Sequence, residues 1–201
     1  MYQNEIKILL DKVISVLVLI CFFWLFLIIS LLILLDSKGP VFFFQERIGC
    51  HKKCFRICKF RTMTMHAPHD CAKEEMDTPE KYITRVGRIL RRSSLDELPQ
   101  FLNILRGEMT LIGPRPALKN QKELIEKRDQ YGANDVRPGL TGWAQIHGRD
   151  ELNNEQKAEM DGYYVRHISF GMDLFCAWKT IGVLVRQEGI HEGRQAERVQ
   201  P

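Results

Sequence analysis

The sequence predicts a helix-dominated α+β protein. It has an N-terminal membrane helix that re-enters the face it left, a small β-hairpin, amphipathic interfacial helices and a compact domain on the cytoplasmic side. Three observations carry that expectation. Val13 to Leu35 holds no charged residue and lies between Asp11-Lys12 and Asp36. Two extended runs, Val41–Gly49 and Cys54–Met63, flank a polar connection containing Gly and Lys, which reads as a hairpin. From Ile83 to Arg92, apolar residues alternate with Arg85, Arg88, Arg91 and Arg92, the pattern of a basic amphipathic helix suited to an anionic surface, or to packing with snorkelling arginines. The 201 residues suffice for one modest domain and an appendage.

The first element is residues 1–36. As one helix, Val13–Leu35 would be about 35 Å long against a hydrocarbon core of about 30 Å. A signal peptide has a shorter apolar region and a small-residue cleavage site, and neither is visible. Lys7 and Lys12 precede the segment, whereas Lys38, Arg47, Lys52, Lys53, Arg56, Lys59 and Arg61 follow it. The heavier downstream charge places the following domain in the cytoplasm. A single crossing would leave Lys7 and Lys12 outside, against that bias, so re-entry is favoured. No proline lies between Val13 and Leu35 to kink the helix. The bulky Phe22, Phe23 and Trp24 at its middle favour shallow insertion, and Ser30 can bond a preceding carbonyl and help it bend.

Composition excludes more than it identifies. A formal charge of +4 is too small to point to nucleic acid. The six cysteines, at 21, 50, 54, 58, 71 and 176, show no C-x-x-C pair and no secretory context, so reduced thiols are expected. Cys50, Cys54 and Cys58 with His51 match no zinc spacing.

In the second strand of the hairpin, Lys59 and Arg61 share one face and Phe60 the other. Two such cations suit a phosphate or lipid headgroup, or form a solvated basic edge that discourages strand pairing. Residues 64–81 read as a loop, in which His66 and His69 find no third ligand.

The next element opens on Ser94-Leu95-Asp96-Glu97-Leu98-Pro99-Gln100 and continues at helical spacing through Phe101, Leu102, Ile104 and Leu105 to a stop at Gly107. Two readings stand open on spacing alone. In one, Ser94 and Glu97 form a capping box, and the acidic pair complements the helix dipole. In the other, Pro99 lies in the first turn and Asp96 is itself the cap. Helix N–H groups and arginines then keep its carboxylate ionised where phosphate also binds. An ionised Asp beside a phosphate is the requirement of covalent phosphoryl chemistry.

Further on, Gly113-Pro114-Arg115-Pro116 holds Arg115 on a stiff backbone, either as a fork for phosphate oxygens or as the exposed residue of a rigid turn. Arg137-Pro138-Gly139-Leu140-Thr141-Gly142-Trp143-Ala144-Gln145 is a Pro-Gly turn leading into a short extended piece. Met172–Val185 is apolar, with Phe175 and Trp178 three apart, and fits an interfacial helix or a core helix.

Taken together, the ordered motifs resemble the bacterial sugar transferase family, the small monotopic polyprenyl-phosphate phosphoglycosyl transferases. They are Asp36-Ser37-x-Gly39-Pro40-Val41-Phe42, Lys59-Phe60-Arg61-Thr62-Met63, Leu95–Gln100, Gly113–Pro116, Arg137–Gly142 and Asp161-x-Tyr163-Tyr164. The resemblance implies transfer of a sugar-1-phosphate from a UDP-sugar to polyprenyl (undecaprenyl) phosphate with release of UMP. That reaction is the first membrane step of capsule, O-antigen, exopolysaccharide or glycoprotein glycan assembly. It implies Asp96 as nucleophile through a phosphosugar–aspartate, with Glu97 handling Mg²⁺ or protons, and Mg²⁺ held at Asp96. Arg91 and Arg115 match phosphate-binding positions, Lys59 and Arg61 fall in the basic strand motif, and Arg137 and Gln145 complete the candidate substrate-binding set. The expected partners are a UDP-sugar, polyprenyl phosphate and inner-membrane lipid, without nucleic acid. The expected organisation is a membrane-inserted helix at 1–36, a cytoplasmic catalytic domain at 37–190 and a tail at 191–201. Where the family usually has Ser-Pro, this chain has Phe23-Trp24. Two other classes fit part of the pattern: a non-catalytic, membrane-anchored basic binding module, and a lipid-linked glycosyltransferase that releases UDP.

Overall fold

The computed structural model describes residues 2–67, 79–148 and 151–186. Most of the expected 64–81 loop, including His69, and the 191–201 tail lie outside them. After a π-helical turn at Tyr2–Ile6, the apolar segment forms two helices, α1 (Lys7–Cys21) and α2 (Phe23–Asp36), bent by 62°. The bend that a re-entrant segment requires is present, and it divides the segment into two helices instead of one. Among the described residues no single helix is long and apolar enough to cross a membrane, whereas the bent pair together meets that test by length and composition. The bend needs no proline because the ladder bridges it. Phe22 leaves the helical range (φ −96°, ψ 11°), yet its N–H still bonds Val18 O at 2.9 Å and its carbonyl accepts from Phe26 N–H at 3.0 Å. Ser30 Oγ donates to Phe26 O at 2.6 Å, as expected of a bent helix.

Packing sets the angle. On α1 the buried face is polar, with Lys7, Asp11 and Ser15 one turn apart, while Leu9, Val13, Leu17 and Ile20 are exposed. On α2 the buried residues are Ile29 and Ile33, which meet Phe60 and Leu90, while Trp24, Leu31 and Leu35 are exposed. Each helix docks on a different part of the domain, so a straight rod would lose one of the two contacts.

The hairpin forms as expected: β1 (Phe42–Ile48) pairs antiparallel with β2 (Cys54–Phe60), with Phe43 opposite Lys59. Phe60 is the pivot of the α2 contact, 5.1 Å from the Phe26 ring and 5.5 Å from Phe42 between centroids. The basic amphipathic helix is α3 (Arg85–Arg92), capped by Thr84 Oγ1, which accepts from Gly87 N–H at 2.9 Å. A Cβ on Gly87 would fall 2.1 Å from the Thr62 carbonyl oxygen. Only glycine lets α3 come that close to the chain leaving β2.

After the acidic segment come α4 (Phe101–Leu105), β3 (Thr110–Ile112), α5 (Lys122–Asp129), β4 (Gly139–Thr141), α6 (Trp143–Ile146), α7 (Asn154–Arg166) and α8 (Phe170–Arg186). Gly107, at φ +77°, ends α4 in the left-handed region that glycine adopts freely. Strands β3 and β4 are parallel, and their carboxyl ends lead into Gly113-Pro114-Arg115 and Gly142–Gln145. One core cluster joins Phe55, Ile57, Phe101, Ile104 and Met109 to Val18 and Leu19 of α1. The N-terminal helices therefore share their core with the rest of the chain.

Candidate active site

The Asp96-Glu97 segment is a 3-10 helix, Leu95–Gln100, and α-helix begins only at Phe101. That differs from an α-helix started by a cap. Ser94 sits at φ +54°, makes no cap hydrogen bond, and its buried Oγ has no partner among the described residues. The capping box does not form because Glu97 is spent elsewhere. Pro99 sits inside the 3-10 turn, close to the early position expected of it. Asn103 pins the element to the hairpin: its buried amide accepts from Cys58 N–H at 2.9 Å and donates to Arg56 O at 2.8 Å.

Glu97 Oε1 accepts from Lys59 Nζ at 2.8 Å and from Arg115 Nη2 at 2.6 Å. Burial pushes its carboxyl upward, but the charges and hydrogen bonds of Arg115 and Lys59 outweigh this and hold it far below the usual carboxylate range. Asp96 is equally enclosed, at 9 % exposure, and its carboxylate has no hydrogen bond among the described residues. Burial, reinforced by the Glu97 charge, raises its pKa to about 6 against the pull of Lys59, Arg91 and Arg115. The expectation that Asp96 is held firmly ionised thus applies to Glu97 instead. Lys59 is pushed down, chiefly by burial.

Arg115 is set from behind. Its carbonyl accepts from Arg128 Nη1 at 2.9 Å, and Arg128 is locked by Asp161 through Nη2 at 2.6 Å and Nε at 2.8 Å. Asp161 belongs to a motif visible in the sequence; Arg128, on the polar helix α5, carries no sequence signal of its own. Arg91 Nε donates to Thr62 Oγ1 at 2.8 Å, which holds its charge beside Asp96.

The structure thus gathers Asp96, Glu97, Lys59, Arg91 and Arg115. Among the described residues, no hydrogen bond or ion pair joins the other three expected residues to this set. Arg61 is buried and bonds Pro40 O, Lys38 O and Ser37 O at 2.6, 3.0 and 2.8 Å, fastening the chain between α2 and β1. Arg137 lines a cavity that none of the five touches. Gln145 is buried beyond β4, with both amide atoms unpartnered among the described residues.

A second buried network was missed in the sequence. Asp173 of α8 accepts from Lys7 Nζ at 2.5 Å, Tyr2 OH at 2.6 Å and Tyr164 OH at 2.7 Å, while Asp11 accepts from Thr110 Oγ1. The signal was present: polar residues at 7, 11 and 15 fall on one helical face. No cluster of three or more Asp, Glu, His or Cys side chains suited to a metal occurs among the described residues.

Two enclosed carboxylates beside three cations are an arrangement whose charge suits a phosphate-bearing ligand. The chain belongs to the bacterial sugar transferase family, whose model matches residues 2–187. It is 38% identical over 187 residues to the uncharacterized sugar transferase EpsL of Bacillus subtilis (strain 168), covering 93% of this chain and 91% of that protein. It is also 38% identical over 184 residues to the UDP-N-acetylgalactosamine-undecaprenyl-phosphate N-acetylgalactosaminephosphotransferase of Aeromonas hydrophila, covering 88% of this chain and 43% of that one. With the UDP-glucose:undecaprenyl-phosphate glucose-1-phosphate transferase of Escherichia coli (strain K12) it shares 36% identity over 178 residues, 85% of this chain and 38% of that protein. The chain therefore spans less than half the length of these two relatives.

Proposed function

We propose that this chain is a phosphoglycosyl transferase that moves a sugar-1-phosphate from a UDP-sugar to undecaprenyl phosphate and releases UMP. The supporting observation is the division of labour in the acidic pair. Glu97 neutralises Lys59 and Arg115, leaving Asp96 buried, unbonded and facing net positive charge. An Asp96 oxygen attacks the phosphorus that bears the sugar, and the bond from that phosphorus to the bridging oxygen breaks. UMP departs with the electron pair, leaving a phosphosugar ester on Asp96. An oxygen of the lipid phosphate then attacks the same phosphorus, and Asp96 leaves as carboxylate. Arg115, aimed by Arg128, and Arg91 balance charge on the phosphoryl oxygens, while Lys59 keeps Glu97 ionised.

A divalent cation fits this site. Mg²⁺ keeps much of its water and needs only one or two protein carboxylates alongside substrate phosphates, and Asp96 offers the free carboxylate. When bound it supplies charge neutralisation for the diphosphate.

The bent apolar helix pair supports a location for this chemistry at a bilayer. Its exposed apolar faces suit a re-entrant insertion into the cytoplasmic leaflet of the inner membrane, where the lipid phosphate lies. Product analysis tests the reaction: UMP in step with lipid-linked sugar supports it, and UDP as sole nucleotide product replaces it with glycosyl transfer.

A further inference from the structure

The strap that carries Arg115 is held by its carbonyls. Pro114 and Pro116 have no N–H to give, and a buried carbonyl needs a donor. Four consecutive carbonyls find donors from three separate parts of the chain. Gly139 N–H donates to Pro114 O at 2.8 Å, and Ile48 N–H donates to Ala117 O at 2.9 Å. The two carbonyls between them are taken by guanidinium groups. Arg128 Nη1 donates to Arg115 O at 2.9 Å, and Arg47 Nη1 donates to Pro116 O at 3.2 Å. From Ile112 to Leu118 every residue is buried except Arg115, whose side chain is 38% exposed and meets Glu97. An enclosed backbone thus presents a single side chain.

Asp161 braces Arg128, and Arg47 has a brace of its own. Its Nη2 donates to Oε1 of Gln45 at 2.7 Å, and Gln45 is a buried residue of β1 on the same strand face. In the sequence Arg47 counts only as one of the cations that follow the apolar segment. In the structure its fork spans two acceptors and ties Pro116 to the hairpin, which a point charge on a flexible stem does not reproduce. The charge itself acts elsewhere: burial, then Arg115 and more weakly Arg47, push Lys59 down. A substitution that keeps the charge therefore isolates the geometry.

We propose that Arg47 is a positioning residue for phosphoryl transfer, fixing Pro116 and with it the direction in which Arg115 meets the phosphoryl oxygens. The proposal rests on the reading of the acidic pair as a phosphoryl-transfer site. A misplacement of about 1 Å can cost on the order of a hundredfold in rate, and an interaction made only in the transition state shows in the maximal rate without changing half-saturation.

The test is a double-mutant cycle on the full-length protein in detergent, with Arg47→Lys, Arg115→Ala and the two together. UMP release from UDP-glucose or UDP-N-acetylgalactosamine, whichever is turned over, is followed in single turnover with enzyme in excess, so that slow variants remain measurable. Varying the enzyme concentration separates the maximal rate from half-saturation. Arg47→Lys should lower the maximal rate about tenfold, with half-saturation kept within about twofold. In the Arg115→Ala background it should lower the rate no further. An equal loss in both backgrounds would mean that Arg47 acts through the fold or on the substrate itself, and overturns the proposal. So does an unchanged maximal rate in Arg47→Lys. Gln45→Leu removes the brace and leaves Arg47 in place; it should give a smaller loss with the same dependence on Arg115, and it carries the test if Arg47→Lys does not fold. The nucleotide released tests the underlying reading separately. UDP in place of UMP removes phosphoryl transfer and the proposal with it, whereas UMP with independent losses removes only the role of Arg47.

Discussion

Because Lys59 and Arg115 both bond one oxygen of Glu97, Asp96 is left with the burial and without the hydrogen bonds. Burial without compensation favours the protonated form, which accounts for a pKa of about 6. A nucleophilic Asp96 must be ionised, so its charge sets an acid limb in the rate. We expect kcat/KM to be level above about pH 7 and to fall below it, reaching roughly a tenth of the plateau near pH 5. Glu97→Gln removes the neighbouring negative charge and frees two cations to attract Asp96. Its residual activity should therefore show the limb at lower pH. A limb that stays in place or rises would mean that Glu97 does not set the ionisation of Asp96. Arg61 teaches the opposite lesson at this scale. A cation on the expected strand face is spent on three backbone carbonyls, and residue type alone gave no hint of that.

At the scale of elements, legibility followed the length of the pattern. The hairpin and α3 were readable because alternation and amphipathic spacing run over seven or more residues and are bounded by turn chemistry. Strands β3 and β4 have three residues each, too few for any period, and only their pairing makes them strands. The acidic segment was located correctly but given the wrong helix type, because Lys59 and Arg115 approach from distant sequence and outbid Ser94 for Glu97. Re-entry was favoured from flanking charge and from Ser30, but the position of the bend at Phe22 was not legible, because it depends on where α1 and α2 dock. We expect this pair to leave and re-enter the same membrane face. A cysteine at position 3, in a background without native cysteines, should be shielded from impermeant reagent in cells with only the outer membrane opened. It should react once the inner membrane is breached. Labelling before that breach would place the N-terminus outside and reduce the bend to a kink in a crossing helix.

Across the whole molecule, one buried polar network ties the first helix to the last. Asp173 gathers Lys7, Tyr2 and Tyr164, and the Tyr164 hydroxyl also reaches Ile112 O at 2.8 Å, at the end of β3 from which the Arg115 strap departs. Removing one partner of a buried pair strands the other, a loss of about 3–5 kcal/mol. Asp173→Ala should destabilise the protein by about that much in a denaturation series, and Lys7→Met with Asp173→Leu should recover most of it. Near-zero loss in the single variant would show that the network does not hold α1 to the domain.

The central claim concerns Asp96, and one measurement addresses it without relying on steady-state rates. The purified protein is mixed with a UDP-sugar labelled with ³²P at the sugar-bearing phosphate, in the absence of lipid acceptor, then quenched and freed of small molecules. The account predicts label on the protein, UMP released in equal amount, chase of the label by undecaprenyl phosphate, and no label on Asp96→Asn. Turnover to lipid-linked sugar with no label retained at any time, or label undiminished in Asp96→Asn, would contradict it.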